Sequence, residues 1–135
     1  LTDPIGWNYR YTTSGWAGLL GNYPSNGYLS WFEGTNARIT SSSTNWNNGS
    51  WNHIAVTRSG NSVRMFVNGT QVGSTYTTSY SYGVNGTNVY GMLIGRLYTA
   101  EHNDFNGYID DLRITKGYAR YTSNFTPPTA ALPNF

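Results

Sequence analysis

The sequence of 135 residues lacks cysteine, contains only two glutamates and has no long apolar run. The absence of cysteine excludes a disulfide scaffold, a thiolate zinc site and a cysteine nucleophile. The longest apolar runs extend over a few residues, as at 17–20, so the sequence predicts no membrane insertion. Its eight lysines and arginines are scattered, whereas nucleic-acid binding requires clustered cations that release counterions. The sequence therefore predicts neither a membrane-inserted nor a nucleic-acid-binding protein.

Turn-forming and aromatic residues dominate what is present. Glycine, asparagine, serine and threonine make up nearly half of the chain, and 16% of it is aromatic. Aromatic and β-branched side chains suit the half-buried surface of a sheet, and disordered chains contain few of them. The composition therefore predicts an all-β globular chain, and its length fits a single domain spanning 1–135.

A three-stranded antiparallel meander is the strongest local prediction. Apolar runs at 51–57 and 63–67 are followed by Asn68-Gly69, the pair that a two-residue type I′ hairpin turn favours, and the chain returns through 71–73. About seven or eight short strands in all would be typical of a β-sandwich or jelly roll. Other short runs bounded by turn residues predict the further strands, at 16–20, 28–32, 37–40, 89–95 and 108–114.

Two stretches interrupt this pattern. The residues at 75–88 are predicted to be irregular, and the proline-rich tail at 126–135 holds three of the five prolines. Proline lacks the N–H that a sheet ladder needs. The tail is therefore expected to run over the surface or to leave the domain.

Two sequence blocks carry a resemblance to a known family. The first joins WNHIAVTR at 51–58 to VRMFVNG at 63–69, and the second joins LIG at 93–95 to FNGYIDDLRI at 105–114. Together they resemble the laminin-G-like branch of the concanavalin A-like lectins. The extension at 115–128 is similar to that of tailed-phage and virus structural proteins. The resemblance implies a concanavalin A-like antiparallel β-sandwich (jelly roll), located at a virion surface or outside the cell.

The N-terminal segment departs from the family pattern. Members usually begin with a further strand that residues 1–14 do not clearly show. Either the run at 5–11 is a diverged version of that strand, or the strand comes from elsewhere in the polypeptide. A missing strand exposes a sheet edge that invites pairing with another chain. We therefore expect a homo-oligomer or a sandwich completed by a neighbouring chain.

The acidic residues do not form a catalytic pattern. Glycosidases need two carboxylates about 5 to 9.5 Å apart, and Glu33 and Glu101 are the only glutamates of this chain. Asp110 and Asp111 are adjacent on a predicted strand, so their side chains should point to opposite faces. The sequence therefore predicts that the protein is not an enzyme.

No cofactor is predicted to be required, although the resemblance implies that Ca²⁺ can bind at one end of the sandwich. The loop at 101–104 is the best candidate, with Asp104 as its anchor. The alternative is a solvated turn whose side chains bond their own backbone. We favour the turn, because one carboxylate with amides binds calcium weakly.

Aromatic residues in polar stretches are the candidates for carbohydrate binding, since sugar rings stack on aromatic faces and amides bond hydroxyl groups. Trp46 stands alone in the polar stretch at 42–49, whereas Trp31 and Trp51 are expected to be structural. The alternative is that such rings fold back over the core. It is as well supported as binding for Trp46, and we favour it for the tyrosines. The remaining candidates surround the second long loop: Tyr76, Tyr80, Tyr82, Tyr90, Asn85 and Asn88.

These observations predict a non-catalytic recognition module on a virion surface that binds a cell-surface glycan. One alternative is a purely structural capsid or tail component that contacts other virion proteins, because loops rich in tyrosine and asparagine also suit protein interfaces. Another is a carbohydrate-binding appendage of a secreted glycan-degrading enzyme. The step from fold to function is an analogy in each case.

Overall fold

The computed structural model describes residues 3–6, 17–21, 27–42, 46, 49–79, 94–95 and 105–132, with the backbone alone for 3–6. Seven strands form two antiparallel sheets within these residues, and none of them lies in a helix, which confirms the all-β prediction. No membrane-spanning helix occurs in this described part of the chain. The strands are β1 Asp3–Gly6, β2 Ala17–Gly21, β3 Leu29–Glu33, β4 Asn36–Thr40, β5 Ile54–Ser59, β6 Ser62–Val67 and β7 Thr70–Thr77.

The first sheet has the strand order β1-β2-β3-β4. Its two middle strands, β2 and β3, bury every residue, and their register pairs Leu19 with Trp31. β1 pairs antiparallel with β2, with Asp3 opposite Gly21. The chain itself therefore supplies a strand next to β2. This strand begins upstream of the run predicted at 5–11, of which residues 7–11 lie outside the described part.

The second sheet has the order β5-β6-β7 and confirms the predicted meander. Asn68 and Gly69 have φ values of 50° and 79°, as a type I′ turn requires. β7 continues to Thr77, so the strand is longer than the predicted return at 71–73. The stretch predicted to be irregular from residue 75 therefore begins, among the described residues, after that strand.

Apolar side chains of both sheets meet in one core. Paired residues of neighbouring strands share a face of the sheet, so Ile54 and Val56 lie on the same side of the second sheet as Val67 and Met65. Phe66 lies on the opposite, outer side. The buried core cluster comprises Ala17, Leu19, Leu29, Trp31, Ile39, Trp46, Val63 and Met65.

The two sheets approach each other closely where β4 meets β7. Gly73 has a φ of 68°, and a Cβ at this position would lie 2.6 Å from Cγ2 of Ile39 and 2.8 Å from the carbonyl oxygen of Thr40. The hydroxyl of Thr78 donates a hydrogen bond of 2.9 Å to buried Glu33. These contacts close one side of the sandwich, and β5 lies at the opposite edge of its sheet.

The strand predicted at 108–114 is not present, and this prediction was wrong. Residues 105–132 contain no strand. Asp111 has a φ of 49°, and its N–H donates a 2.8 Å hydrogen bond to the side chain of Asp110. This local turn interrupts the extended backbone that the sequence predicts for this run. Of the strand predicted at 89–95, residues 94–95 form a bend and the rest lie outside the described part.

The C-terminal segment, residues 121–127, packs on the outer face of the second sheet. Thr57 donates its hydroxyl proton to the carbonyl oxygen of Tyr121 at 2.6 Å, and the N–H of Phe125 donates to Gly69 at 2.9 Å. The rings of Tyr121 and Phe125 stack on each other, and both contact Phe66 edge to face. The chain runs over the surface here, and Phe66 is buried beneath it.

Candidate functional site

A groove of about 860 Å³ runs along β5, the edge strand farthest from β7. Residues 49–58 line one wall and residues 105–121 line the other. We refer to this feature as the β5 groove. Core residues Leu19, Trp31, Trp46 and Val63 also line it, so it reaches the space between the two sheets.

Three exposed aromatic rings lie in the β5 groove. The exposed fractions are 70% for Trp51, 86% for Tyr108 and 61% for Tyr118. Large apolar side chains are rarely left so open without a partner when they cluster. Trp51 belongs to the 49–58 wall, and the two tyrosines belong to the 105–121 wall.

The exposure of Trp51 corrects the prediction that this residue is structural. β5 begins at Ile54, so Trp51 precedes the strand instead of opening it. Its side chain is therefore not part of the alternating strand pattern that directs Ile54 and Val56 toward the core. The sequence pattern identified the strand but placed its start too early.

Trp46 occupies a different environment from Trp51. Its ring is only 7% exposed and belongs to the core cluster. The indole Nε1 is buried and has no hydrogen-bond partner among the described residues. This position matches the interpretation in which the ring covers the core, and it leaves little surface on which a sugar can stack.

Another predicted binding residue, Tyr76, is not among the described residues that line the β5 groove. Tyr76 is half-buried on β7, at the far edge of the sheet, and the guanidinium of Arg38 lies 5.4 Å from its ring centroid. The remaining candidates, and the proposed calcium anchor, fall outside the described residues: Tyr80, Tyr82, Asn85, Asn88, Tyr90 and Asp104.

Charged side chains surround the aromatic rings of the groove. The carboxylates of its described lining are Asp110 and Asp111. The guanidinium of Arg120 lies 5.5 Å from the ring centroid of Tyr118, and its Nε donates to the hydroxyl of Thr115 at 2.6 Å. The basic residues of the lining outnumber the carboxylates and are Arg58, Arg113, Lys116 and Arg120.

Side-chain amides hold the backbone next to Trp51. Asn52 follows Trp51 directly, and its Nδ2 donates to the carbonyl oxygens of Trp46 at 2.7 Å and Ser50 at 2.9 Å. Asn68, in the β6–β7 turn, donates from Nδ2 to Oδ1 of Asn52 at 2.8 Å. The loop that carries the exposed ring is therefore tied to the sheet.

His53 lies between the Trp51 loop and the C-terminal segment. Its ring contacts Tyr121 and Phe125 edge to face, at centroid distances of 6.0 and 5.4 Å. Desolvation by burial lowers the pKa of His53, and a hydrogen bond to its backbone opposes this effect in part. The neutral imidazole is therefore the favoured form in this setting.

The side chains that line the β5 groove are suited to contacting a ligand. No cluster of three or more histidine, aspartate or glutamate side chains that could hold a metal occurs among the described residues. Glu33 is engaged with Thr78 inside the sandwich, and Asp110 bonds the backbone of its neighbour. Open aromatic rings flanked by polar and basic side chains are typical of sites that bind small polar ligands.

Sequence reasoning missed Tyr108 and Tyr118 as site residues. Tyr108 was expected to begin a strand, and this expectation did not indicate that its side chain is exposed. Tyr118 follows Gly117, whose φ is 101°, within a polar stretch. An aromatic residue beside a glycine in such a stretch is the signal that indicates an exposed ring.

Comparison with known proteins assigns the family of the chain. The laminin G family model described as the concanavalin A-like lectin/glucanases superfamily matches residues 5–120. No curated protein and no solved structure shows significant similarity to the chain. The match covers both walls of the β5 groove.

Proposed function

The chain belongs to the concanavalin A-like lectin/glucanases superfamily, and from this membership we propose that it binds carbohydrate in the β5 groove without catalysing a reaction. The observation that carries the proposal is the exposure of Trp51, Tyr108 and Tyr118 around one groove. Rings held open to solvent can stack on the apolar faces of sugar rings. Groups on the same walls, such as those of Asn106 and Arg113, can bond sugar hydroxyl groups.

We further propose a location on the outside of a tailed-phage virion, with a glycan of the cell surface as the partner. The support is the similarity of residues 115–128 to virus structural proteins. No cofactor is needed in this proposal, because aromatic stacking and hydrogen bonding supply the contacts.

A structural virion component is the second candidate function. On the 105–121 wall of the groove, the aliphatic side chains of Ile109, Leu112 and Ile114 are all exposed. Aromatic and aliphatic side chains with a charged rim are also typical of protein interfaces. Under this alternative the same surface would contact another virion protein.

The test is a glycan array with the purified chain and its Trp51→Ala variant. We expect binding by the wild type and at least about a tenfold loss in the variant, since central aromatic contacts contribute on the order of 2 kcal/mol or more. The variant should keep its unfolding temperature, because the ring is mostly exposed.

Asn61→Ala is the matched control, because Asn61 is exposed in the β5–β6 turn. The array is run with Ca²⁺ and again with a chelator. Loss of binding with the chelator alone would point to a metal site, for which Asp104 is the candidate anchor. If the folded wild type binds no glycan in either run, the result contradicts carbohydrate binding and favours the structural alternative.

A further inference from the structure

Trp51 stands on a short loop, residues 49–53, that is anchored on both sides. On the C-terminal side, His53 and Asn68 are joined by two hydrogen bonds. The N–H of Asn68 donates to the carbonyl oxygen of His53 at 2.7 Å, and the N–H of His53 donates to Oδ1 of Asn68 at 2.9 Å. On the N-terminal side, the buried ring of Trp46 fixes the chain in the core.

Asn52 connects these two anchors. Its Nδ2 group donates to the carbonyl oxygens of Trp46 and Ser50, and its Oδ1 accepts from Nδ2 of Asn68. One side chain therefore ties the backbone before Trp51 to the hairpin turn beyond β6. Trp51 lies directly between Ser50 and Asn52, so its backbone has little freedom to reorient.

The type I′ turn alone does not account for asparagine at position 68. Glycine and aspartate also adopt the positive φ that the turn needs. Only asparagine offers both the acceptor that the N–H of His53 uses and the donor that Oδ1 of Asn52 uses. The side chain of Asn68 thus has a role beyond the turn itself.

We propose that the amide pair of Asn52 and Asn68 positions Trp51 in the β5 groove before any ligand arrives. Packing alone cannot fix this ring, because 70% of its surface is exposed. A ring that is already oriented loses less conformational entropy on binding, and this raises affinity without adding a contact. The consequence for affinity rests on the proposed function, whereas the positioning itself does not.

The positioning is tested without a ligand, by ¹⁹F NMR of the chain labelled with 5-fluorotryptophan. The resonance of position 51 is assigned by its absence from the Trp51→Phe variant. In Asn68→Asp and in Asn52→Asp we expect this resonance to sharpen and to move toward the shift of free 5-fluorotryptophan. Asn68→Asp keeps the acceptor for His53 and loses only the donor to Asn52, so the hairpin should stay folded.

Asn61→Asp is the matched control, because it adds the same charge at an exposed position in the β5–β6 turn. It should leave the resonance of position 51 unchanged. Asn68→Gly repeats the test without an added charge, since glycine accepts the φ of 50°. An unchanged resonance in all three folded variants of Asn52 and Asn68 overturns the proposal.

The effect on affinity is measured with a glycan that the array identifies. Asn68→Asp and Asn68→Gly should bind it about 5- to 10-fold more weakly, the cost of ordering one side chain on binding. Wild-type affinity in variants whose ring has become mobile overturns the role in binding. A mobile ring in the variants, together with a wild type that binds no glycan, refutes the proposed function and leaves the positioning role intact.

Discussion

His53 contacts the stacked rings of Tyr121 and Phe125 edge to face, at the point where the C-terminal segment crosses the second sheet. Its Nδ1 is buried away from solvent. The folded state therefore disfavours the protonated ring and lowers the pKa of His53 below its ordinary value of 6.5. In the unfolded chain the same ring takes up a proton near pH 6.5, so acid favours unfolding.

The stability contributed by a neutral His53 is complete above pH 6.5 and is lost as the pH falls toward the lowered pKa of the folded state. We expect the unfolding temperature to fall between pH 7.5 and pH 5.5. His53→Phe should remove this part of the dependence while keeping the ring contacts. Calorimetry of both chains measures the difference, and equal pH profiles for the two would contradict the assignment.

At the level of secondary structure, the C-terminal segment contacts the hairpin between β6 and β7, where Phe125 bonds the backbone of Gly69. Gly69 and Gly60 both have positive φ, of 79° and 56°. A Cβ on Gly69 would collide with the carbonyl oxygen of Phe125, whereas a Cβ on Gly60 would meet nothing within 4 Å. Substitutions at the two glycines therefore distinguish the cost of backbone strain alone from that of strain combined with a steric clash.

Gly60→Ala should lower the free energy of unfolding by about 1–2 kcal/mol, the cost of a left-handed backbone. Gly69→Ala should lower it by a further ~1–3 kcal/mol, because the added methyl forces the C-terminal segment to move. Urea denaturation of both variants measures the difference. Equal losses would show that residues 121–127 do not rest on the hairpin.

The strands that could be predicted from sequence are those joined by a turn that the turn residues themselves specify. The Asn68-Gly69 turn specifies the register of β6 and β7, and alternation along β6 places Val63 and Met65 in the core. The run at 108–114 is likewise bounded by turn residues but forms no strand, because the chain turns at Asp111, where φ is 49°, and the sequence pattern does not indicate this turn.

The site was less predictable than the strands. Whether Trp46 or Trp51 faces solvent depends on where β5 begins and on which ring reaches the core, and both are decided by contacts distant in sequence. Of the residues predicted to bind carbohydrate, Trp46 lies at the groove but is buried, and Tyr76 lies on β7. The binding roles of the others stay predictions.

At the scale of the whole molecule, β1 covers the edge of β2. Deleting residues 1–6 should expose that edge, and unpaired strand edges promote association between chains. We expect the shortened chain to form dimers or larger species and to unfold at a lower temperature. Size-exclusion chromatography with light scattering measures the mass. A shortened chain with the mass and unfolding temperature of the full chain would show that β1 does not protect the sheet.

The way in which residues 121–127 lie across the second sheet also sets how the molecule responds to a mechanical load. A pull on the C-terminus first loads the contacts between Phe125 and the hairpin at Gly69 and then the one between Tyr121 and Thr57. These bonds break one after another and not together, so they yield at low force. The ring of Phe66 is then uncovered while the sheet beneath it stays paired. A force applied at this end would therefore detach residues 121–127 from the second sheet before it loads the strands of the sandwich.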